Sequence, residues 1–251
     1  MPVALTIAGS DPSGGAGIQA DLKTFHQFGV YGTAAITLLT VQNTTQLTRI
    51  ECLPPDLIAD QIRAVVADLH PAAAKTGALG NRETVEAIAA LAAGWNFPLV
   101  IDPVRISKPG AALLSPDALF ALRDLLIPRA FLITPNLDEA AALTGENDMR
   151  RAAEALIGMG AHAVLIKGGH RAGDAVDILL HEGRWSEFRA ARIDTRHTHG
   201  TGCAYSAAIT AGLALGQSLQ DAVAAAKTWI TEAIRTAPNL GRGSGPINYH
   251  A

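Results

Sequence analysis

The stretch VALTIAGSDPSGGAGIQADLKTFHQF, which spans Val3–Phe28, indicates the class of fold for the whole chain. Its first six residues are almost all apolar and predict a buried β-strand over Val3–Ala8. A glycine-rich loop follows, and the pattern of Gly17–Phe28 then predicts an amphipathic helix. A buried strand, a glycine loop and a helix form the first half of a βαβ unit, which favours a parallel sheet covered by helices.

The rest of the chain repeats this alternation of short apolar runs and helical patterns. The predicted strands are Ala34–Val41, Ala72–Lys75, Leu99–Asp102, Ala130–Thr134 and Ala163–Lys167, with a hairpin formed by Val176–His181 and Trp185–Arg189. The predicted helices are Pro55–Leu69, Arg82–Ala93, Ser115–Leu126, Met149–Met159, Cys203–Leu215 and Leu219–Thr236. We find no repeat and no low-complexity linker. Residues 1–251 therefore predict a single α/β domain with a mostly parallel central sheet and helices on both faces.

Composition narrows the functional classes. The chain has 251 residues, of which 49% are apolar and 17% charged, so it can bury a substantial core. A formal net charge of -3 and the lack of a dense basic run give no indication of nucleic-acid binding. We see no apolar run long enough for a membrane span, and the amino terminus lacks the charged region of a signal peptide. Cys52 and Cys203 form no CxxC pair, so we expect a cytoplasmic protein.

One motif, His199-Gly200-Thr201-Gly202-Cys203, combines an anion site with a thiol. Its glycines let backbone amide groups converge, and the small and apolar residues that follow predict a helix. A helix start adds free N–H groups and the positive end of the helix dipole, which together bind a phosphoryl group. Cys203 lies at the same start, where we expect its pKa to fall. The structural alternative is a glycine turn before a helix with a buried cysteine.

Polar residues follow several of the predicted strands, where ligands bind in a parallel sheet. Gln42 offers an amide donor and acceptor that suit the edge of a nitrogen heterocycle. Asp102 suits metal and phosphate chemistry, or a turn before Pro103. Lys167, beside Gly168, suits nucleotide phosphates, with a solvated loop lysine as the alternative.

Three further carboxylate and amide residues have both structural and functional interpretations. Asn136 and Glu139 have the spacing of a capping box, in which each side chain bonds the other residue's backbone N–H. Glu139 could also hold waters around magnesium, and the two roles can coexist. Asp21 is predicted in the first helical turn, either as a carboxylate that the helix dipole favours or as a ligand contact.

Two other chemistries are disfavoured. Gly15–Ala20 matches the loose dinucleotide fingerprint G-x-G-x-x-A, but Thr33–Gln46 contains no acidic residue to bind a ribose. An NAD-dependent oxidoreductase is therefore the alternative from a different class. His197 and His199 could suggest a metal site, but no third ligand with useful spacing is evident.

In chain order, these motifs form a specific set. They are the glycine-rich first loop, Val41-Gln42-Asn43-Thr44, Asp102-Pro103-Val104, Thr134-Pro135-Asn136 with Glu139, Lys167-Gly168-Gly169-His170 and His199-Gly200-Thr201-Gly202-Cys203. The set resembles the hydroxymethylpyrimidine/phosphomethylpyrimidine kinase family of thiamine biosynthesis, within the ribokinase-like superfamily. The resemblance runs from Ala4 to Asn248.

The resemblance implies a ribokinase-like three-layer sandwich that binds a small-molecule acceptor, ATP and Mg²⁺. Members of the family phosphorylate 4-amino-5-hydroxymethyl-2-methylpyrimidine and then its monophosphate, so we expect the same reactions here. We also expect a homodimer, with neither nucleic acid nor a membrane as partner.

The resemblance also implies roles for individual residues. The residues expected at the point of transfer are Cys203, as acid or base, and the anion-hole residues Gly200, Thr201 and Gly202. The residues expected against the acceptor are Gly9, Asp21, Gln42, Val104 and Arg105. The residues expected against the nucleotide are Asn136, Lys167 and Gly168. Asp102 and Glu139 are expected to hold the metal through waters.

Two positions depart from the family pattern, which has methionine where this chain has Ala78 and Arg105. Both lie in loops expected near the acceptor. Arg105 could bind an acceptor phosphate through its planar guanidinium group, or it could be a solvated loop residue. A kinase of pyridoxal, pyridoxine or a related heterocyclic alcohol is therefore the alternative within the same class.

Overall fold

The computed structural model describes residues 1–108, 110–169 and 173–251. Its strands are β1 (Val3–Ser10), β2 (Tyr31–Gln42), β3 (Leu47–Cys52), β4 (Ala73–Thr76), β5 (Leu99–Ile101), β6 (Leu132–Ile133), β7 (Ala163–Ile166), β8 (Ala175–His181) and β9 (Arg184–Ala190). Its helices are α1 (Gly17–Gln27), α2 (Pro55–Leu69), α3 (Arg82–Ala92), α4 (Pro116–Ala121), α5 (Leu137–Thr144), α6 (Met149–Gly158), α7 (Thr201–Ala214) and α8 (Leu219–Arg235). His170, the last residue of one predicted motif, lies outside the described residues.

The strands of this part of the chain form one sheet in the order β3-β2-β1-β4-β5-β6-β7-β8-β9. The six strands from β2 to β7 in that order are parallel, whereas β3 and β8 join them antiparallel and β9 pairs antiparallel with β8. The chain moves from β1 to β2 on one side and later returns to β4 on the other. This reversal of strand order opens a crevice beyond the carboxyl ends of β1 and β4.

Helices cover both faces of the sheet. The helices α2 to α6 pack on one face, and α1, α7 and α8 pack on the other. In β5, Leu99 and Ile101 belong to the first core, while Val100 belongs to the second. Such alternation is expected for a strand that is buried on both sides. The predicted three-layer α/β sandwich is therefore confirmed.

The helix α7 is apolar around its whole circumference, and most of its residues are buried. A helix of this kind is stable only inside a protein, and α7 lies against the sheet, α1 and α8. Because packing on several sides fixes the helix, it also fixes the position of the amino end that begins at Thr201.

Two elements differ from the sequence-based expectation. The pattern of β3 does not indicate a strand, because the edge strand is largely exposed and is held by antiparallel pairing with β2. The predicted helix Ser115–Leu126 begins as expected, with the Ser115 side chain capping the Ala118 N–H. The α-helical part ends at Ala121, and Leu122–Leu126 forms a π-helical turn just before Pro128, which cannot continue a regular helix.

The single domain over residues 1–251 stays a prediction, which the one continuous sheet supports. No helix within the described ranges has both the length and the apolar run needed to cross a membrane.

Candidate active site

A cavity of about 610 Å³ lies at the carboxyl ends of the parallel strands. Gly9, Gln42 and Val104 line it where β1, β2 and the segment after β5 meet. Residues of β8, β9 and α8 line another part of the wall, and Gly200–Cys203 lies in the wall of the same cavity. The volume is within the usual range for a small-molecule site.

The amino end of α7 is open toward this cavity. Gly200 has a φ of 81°, and a Cβ at this position would overlap the Gly15 carbonyl oxygen. Among the described residues, no side chain caps the helix. In the described part of the chain, the N–H groups of Gly202 and Cys203 have no backbone or side-chain acceptor. These free donors at the positive end of a helix dipole make the anion site that the motif predicts.

Cys203 is half-buried in the cavity wall, where the amino ends of two helices meet. The Gly17 backbone at the start of α1 favours the thiolate and lowers the pKa of the thiol. Burial nevertheless raises the pKa of the thiol to about 12, with Lys75 opposing that rise and Asp102 adding to it. The expected fall in the pKa of Cys203 is therefore wrong for the chain without ligands.

Asp102, which follows β5, and Lys167, which follows β7, form an ion pair across the end of β6. The Lys167 ammonium lies 3.0 Å from Asp102 Oδ1, and both side chains line the cavity. Burial alone would lower the pKa of Lys167. The negative charges of Asp102 and Glu139 outweigh that effect and raise the pKa of the lysine. A Cβ added at Gly202 would lie 3.4 Å from Lys167 Nζ, so the ammonium faces the start of α7.

Asn136 and Glu139 form the predicted capping box of α5. Asn136 Oδ1 accepts the Glu139 N–H at 2.8 Å, and Glu139 Oε2 accepts the Asn136 N–H at 2.8 Å. Both residues also line the cavity. Burial, opposed by the charge of Lys167, raises the pKa of Glu139 to about 7. The capping role is confirmed, and the capping geometry places the Glu139 carboxylate near Lys167 and Asp102.

Asp11 organises the glycine-rich loop, and the sequence interpretation misses it. Its carboxylate accepts the N–H groups of Ser13, Gly15 and Ala16, and it lies 2.8 Å from Nε2 of His199. Burial alone would raise the pKa of Asp11. The hydrogen bonds to its carboxylate outweigh that effect and hold the pKa of Asp11 well below its usual range. The available signal was the segment Asp-Pro-Ser-Gly, in which an aspartate typically bonds the backbone two residues on.

This loop geometry also bears on the dinucleotide fingerprint. The N–H groups of Gly15 and Ala16 would have to face a pyrophosphate in a dinucleotide site, but they bond the Asp11 carboxylate instead. A bound pyrophosphate would also be repelled by that carboxylate. The loop therefore does not support the NAD-dependent alternative.

Asp21 does not lie in the cavity wall. Its side chain is fully buried, accepts a hydrogen bond from Thr6 at 2.6 Å, and pairs with the buried Lys75 at 2.8 Å. It falls in the second turn of α1, because the helix begins at Gly17. The predicted substrate contact of Asp21 is wrong, and the residue instead forms a buried ion pair beneath the site. Lys75 is a further residue that the sequence interpretation misses.

Two other predicted residues also lie outside the wall. Gly168 packs against the Val176 backbone, and its N–H donates to Asp177 at 2.9 Å, so its role is structural. Arg105 is half-buried, and its positive charge opposes the rise in the pKa of Glu139. The loop that carries Arg105 contributes Val104 to the wall, but the arginine itself does not line it.

Comparisons with known proteins agree with this geometry. The sequence profile of the phosphomethylpyrimidine kinase family matches residues 11–248. A hydroxymethylpyrimidine/phosphomethylpyrimidine kinase from Streptomyces coelicolor is 49% identical, over 99% of this chain and 94% of the relative.

Two solved structures share the architecture. A crystal structure of phosphomethylpyrimidine kinase from Clostridium difficile has 43% identity and a TM-score of 0.83, covering 93% of this chain and 100% of that one. An ADP complex of Bacillus subtilis pyridoxal kinase has 39% identity and a TM-score of 0.93, covering 100% and 98%. The ribokinase-like fold is thereby confirmed, and use of ATP is supported. The chain belongs to the phosphomethylpyrimidine kinase family and is a phosphotransferase.

Proposed function

We propose that this protein phosphorylates 4-amino-5-hydroxymethyl-2-methylpyrimidine and its monophosphate with ATP and Mg²⁺, in thiamine biosynthesis. The observation that carries the proposal is the single cavity in which the open amino end of α7 lies with Lys167 and two carboxylates. Phosphoryl transfer needs positioning and charge neutralisation more than covalent help from the protein, and these groups supply both.

The donor set fits a magnesium ion beside the nucleotide phosphates. Asp102 and Glu139 present carboxylate oxygens to the cavity, and oxygen is the ligand type that Mg²⁺ takes, often through retained waters. Bound magnesium would neutralise charge on the phosphates. Asn136 positions Glu139 through the capping box, and Lys167 would contact a phosphate oxygen directly.

The transfer itself would take place at the start of α7. The acceptor hydroxyl oxygen forms a bond to the terminal phosphorus of ATP, the bond to ADP breaks, and Cys203 receives the hydroxyl proton. Gly202 and Cys203 would stabilise the charge of the phosphoryl group through their free N–H groups, while Gly200 forms the turn before them and the Thr201 N–H donates to the Thr198 carbonyl oxygen.

Cys203 must first lose its own proton to act as a base. The amino ends of α1 and α7 and the charge of Lys75 favour the thiolate, whereas burial and the Asp102 carboxylate oppose it. The buried Asp21 carboxylate also opposes the thiolate, and magnesium held near Asp102 would weaken the contribution of Asp102.

The acceptor would occupy the part of the cavity lined by Gly9, Gln42 and Val104. Gln42 and Asp11 both line the cavity, and the Gln42 side chain helps to lower the pKa of Asp11. The Gln42 amide offers a donor and an acceptor to the edge of a heterocycle. The likeness to pyridoxal kinase makes pyridoxal the second candidate acceptor. Both are heterocyclic alcohols, so the acceptor must be identified by assay.

The test is release of ADP in a coupled assay with the hydroxymethylpyrimidine, its monophosphate and pyridoxal, each with and without magnesium. We expect metal-dependent release with both pyrimidines at a higher kcat/KM than with pyridoxal. Folded protein that releases ADP with none of them would overturn the proposal. A preference for pyridoxal would replace the pyrimidine acceptor and leave the kinase reaction intact.

Location and assembly also remain proposals. Cys52 and Cys203 are both free thiols, which supports a reducing compartment such as the cytoplasm. Leu39 and Val41 are exposed on one face of β2, which supports the predicted homodimer. Light scattering on a sizing column would measure the mass, and a monomer across the working concentration range would contradict the dimer.

A further inference from the structure

Three metal-ligating side chains meet on the surface, away from the site described above. His162 precedes β7, His181 ends β8, and Glu182 begins the turn between β8 and β9. A ligand atom from each lies within 4.8 Å of the other two. None of the three lines the active-site cavity, so the proposed kinase reaction does not use them.

The separation of the two imidazoles matches the spacing of ligands on a tetrahedral ion. Nε2 of His162 lies 3.3 Å from Nε2 of His181. Two nitrogens bound to zinc at about 2.0–2.1 Å with a tetrahedral angle lie roughly 3.3–3.4 Å apart. Without an ion this contact is a hydrogen bond between the rings, and a rotation of each ring would turn both nitrogens toward one ion at the same separation.

The backbone and a neighbouring aromatic ring hold this arrangement. In the antiparallel pair of β7 and β8, His181 lies opposite Ala163, which directly follows His162. The ring of Phe131 stacks on His162 with centroids 5.2 Å apart and meets His181 edge-on. Both rings are thus partly positioned before any ion binds, which lowers the cost of ordering them.

Glu182 supplies a third ligand from a constrained turn. Glu182 has a φ of 50° and Gly183 a φ of 72°, which is the pattern of a tight hairpin turn with two left-handed residues. The turn keeps the carboxylate beside the two histidines rather than on a free loop. Two imidazoles, one carboxylate and a water make a set that zinc commonly takes.

We propose that His162, His181 and Glu182 form a surface site for a divalent transition ion of the zinc type, which links β7 to the β8–β9 hairpin. Imidazole ligands favour such ions over magnesium, which prefers an all-oxygen set. The site is independent of the proposed phosphoryl transfer. The fourth ligand would be solvent, because His162 and Glu182 are exposed.

Metal binding by the intact protein tests this inference. Zinc affinity and stoichiometry are measured by competition with a chromophoric chelator, and cobalt is used for its visible spectrum. The Cys203→Ala background removes a competing thiol.

We expect one ion per chain at this site and the intense visible bands of tetrahedral cobalt. A His162→Ala or His181→Ala change should weaken zinc binding at least about tenfold, since loss of even an outer-shell partner costs roughly 10–100-fold.

A matched control uses His26, which is an exposed histidine on α1 outside the cluster. The His26→Ala variant should bind zinc as the parent does, and zinc should raise Tm in that variant but not in the His162→Ala, His181→Ala double variant. Circular dichroism checks that the variants are folded. Equal zinc affinity in all variants, or a weak octahedral cobalt spectrum in the parent, would overturn the inference. ADP release is measured on the double variant made in the parent protein, which keeps Cys203, and a loss of ADP release there would show that the cluster is not independent of the kinase site.

Discussion

At the scale of single residues, the candidate site depends on charges that lie beneath its visible wall. Cys203 faces the cavity, while the ion pair of Lys75 and Asp21 is fully buried behind it. The positive charge of Lys75 favours the thiolate, and the negative charge of Asp21 disfavours it. The reactivity of the thiol is therefore a balance between groups that no substrate touches.

The Cys203→Ala variant tests the thiol as the base. We expect kcat to fall by roughly 10²–10⁴, the usual contribution of a positioned acid or base, with little change in KM for ATP. The Cys203→Asp variant should recover part of kcat, because it restores a group that can accept a proton. Steady-state kinetics measure kcat and the KM for ATP of the parent and of both variants. If Cys203→Ala keeps the parent's kcat, the cysteine serves packing alone.

The Lys75→Met variant tests the buried pair. Removing one partner leaves the Asp21 carboxylate buried and unpaired, which should lower the free energy of unfolding by about 3–5 kcal/mol. The Asp21→Asn, Lys75→Met double variant should recover much of that loss, because neither partner of this pair is then charged. Urea unfolding measures both. Lys23→Met is the control: this exposed lysine donates to the Gly14 carbonyl and lies over the Tyr249 ring, so its loss should cost only about 1 kcal/mol. Equal losses in the single and double variants would contradict the pairing.

At the scale of elements, the start of α7 is held against the glycine-rich loop by close backbone packing. Gly200 lies directly against Gly15, and the Tyr249 hydroxyl donates to the Gly15 carbonyl at 2.7 Å. Asp11 joins the same loop to His199. The acceptor-side loop and the anion site therefore form one rigid unit.

The Gly200→Ala variant tests this unit, with Gly216→Ala as its matched control. Both glycines have a φ near 80°, but only at Gly200 would a Cβ meet neighbouring backbone, while Gly216 has open space around it. The control should lose about 1–2 kcal/mol of stability from the left-handed conformation alone, with kcat retained. Gly200→Ala should lose more stability and most of kcat. Similar kcat values in the two variants would contradict a close-packed anion site.

The helix α5 places the Glu139 carboxylate in the site, and the charge of this carboxylate changes with pH near neutrality. Because the pKa of Glu139 is raised from 4.5 to about 7, its charged form appears only as the pH rises through about 7. At limiting magnesium, we expect the kinase rate to increase through that range, and Glu139→Gln to remove the increase along with most activity. The native chain holds this proton more tightly than the unfolded chain, so the contribution of Glu139 to stability decreases from pH 4.5 to 7.

A control for this prediction lies in the next residue. Asp138 is exposed in the first turn of α5, and Asp138→Asn should leave the pH dependence unchanged. The kinase rates of the parent, Glu139→Gln and Asp138→Asn proteins are measured from pH 6 to pH 8 at several magnesium concentrations. A parent rate that does not vary with pH at limiting magnesium would contradict the role of Glu139.

Sequence patterns predict most of these elements because each has a local cause. The capping box of α5 and the start of α2 at its prolines follow from residues a few positions apart. The pairing of Asp21 with Lys75, 54 residues later, and of Asp11 with His199, 188 residues later, depends on the strand order instead. Similarly, β3 has no clear strand pattern in its sequence and forms because it pairs with β2. The missed site residues are those whose partners are distant in sequence.

At the scale of the whole molecule, the sheet brings one functional side chain from the end of each of several strands to a single cavity. Gln42 ends β2, Asp102 follows β5, Asn136 follows β6 and Lys167 follows β7. The parallel arrangement places these strand ends at the same edge, and α7 adds its amino end there. From Gln42 to Lys167 the sequence order of these four side chains is also their order along the sheet, whereas the glycine-rich loop after β1 lies between Gln42 and Asp102. Motifs far apart in the chain thus meet at one cavity, and together they predict the family.

Identification of the product by mass spectrometry tests the central claim most directly. The protein is incubated with MgATP and 4-amino-5-hydroxymethyl-2-methylpyrimidine, and samples are taken over time. We predict that the monophosphate forms first and is then converted to the diphosphate, while Cys203→Ala forms both far more slowly. Folded parent protein that forms neither phosphorylated pyrimidine, but converts pyridoxal to its phosphate under the same conditions, would contradict the proposed acceptor.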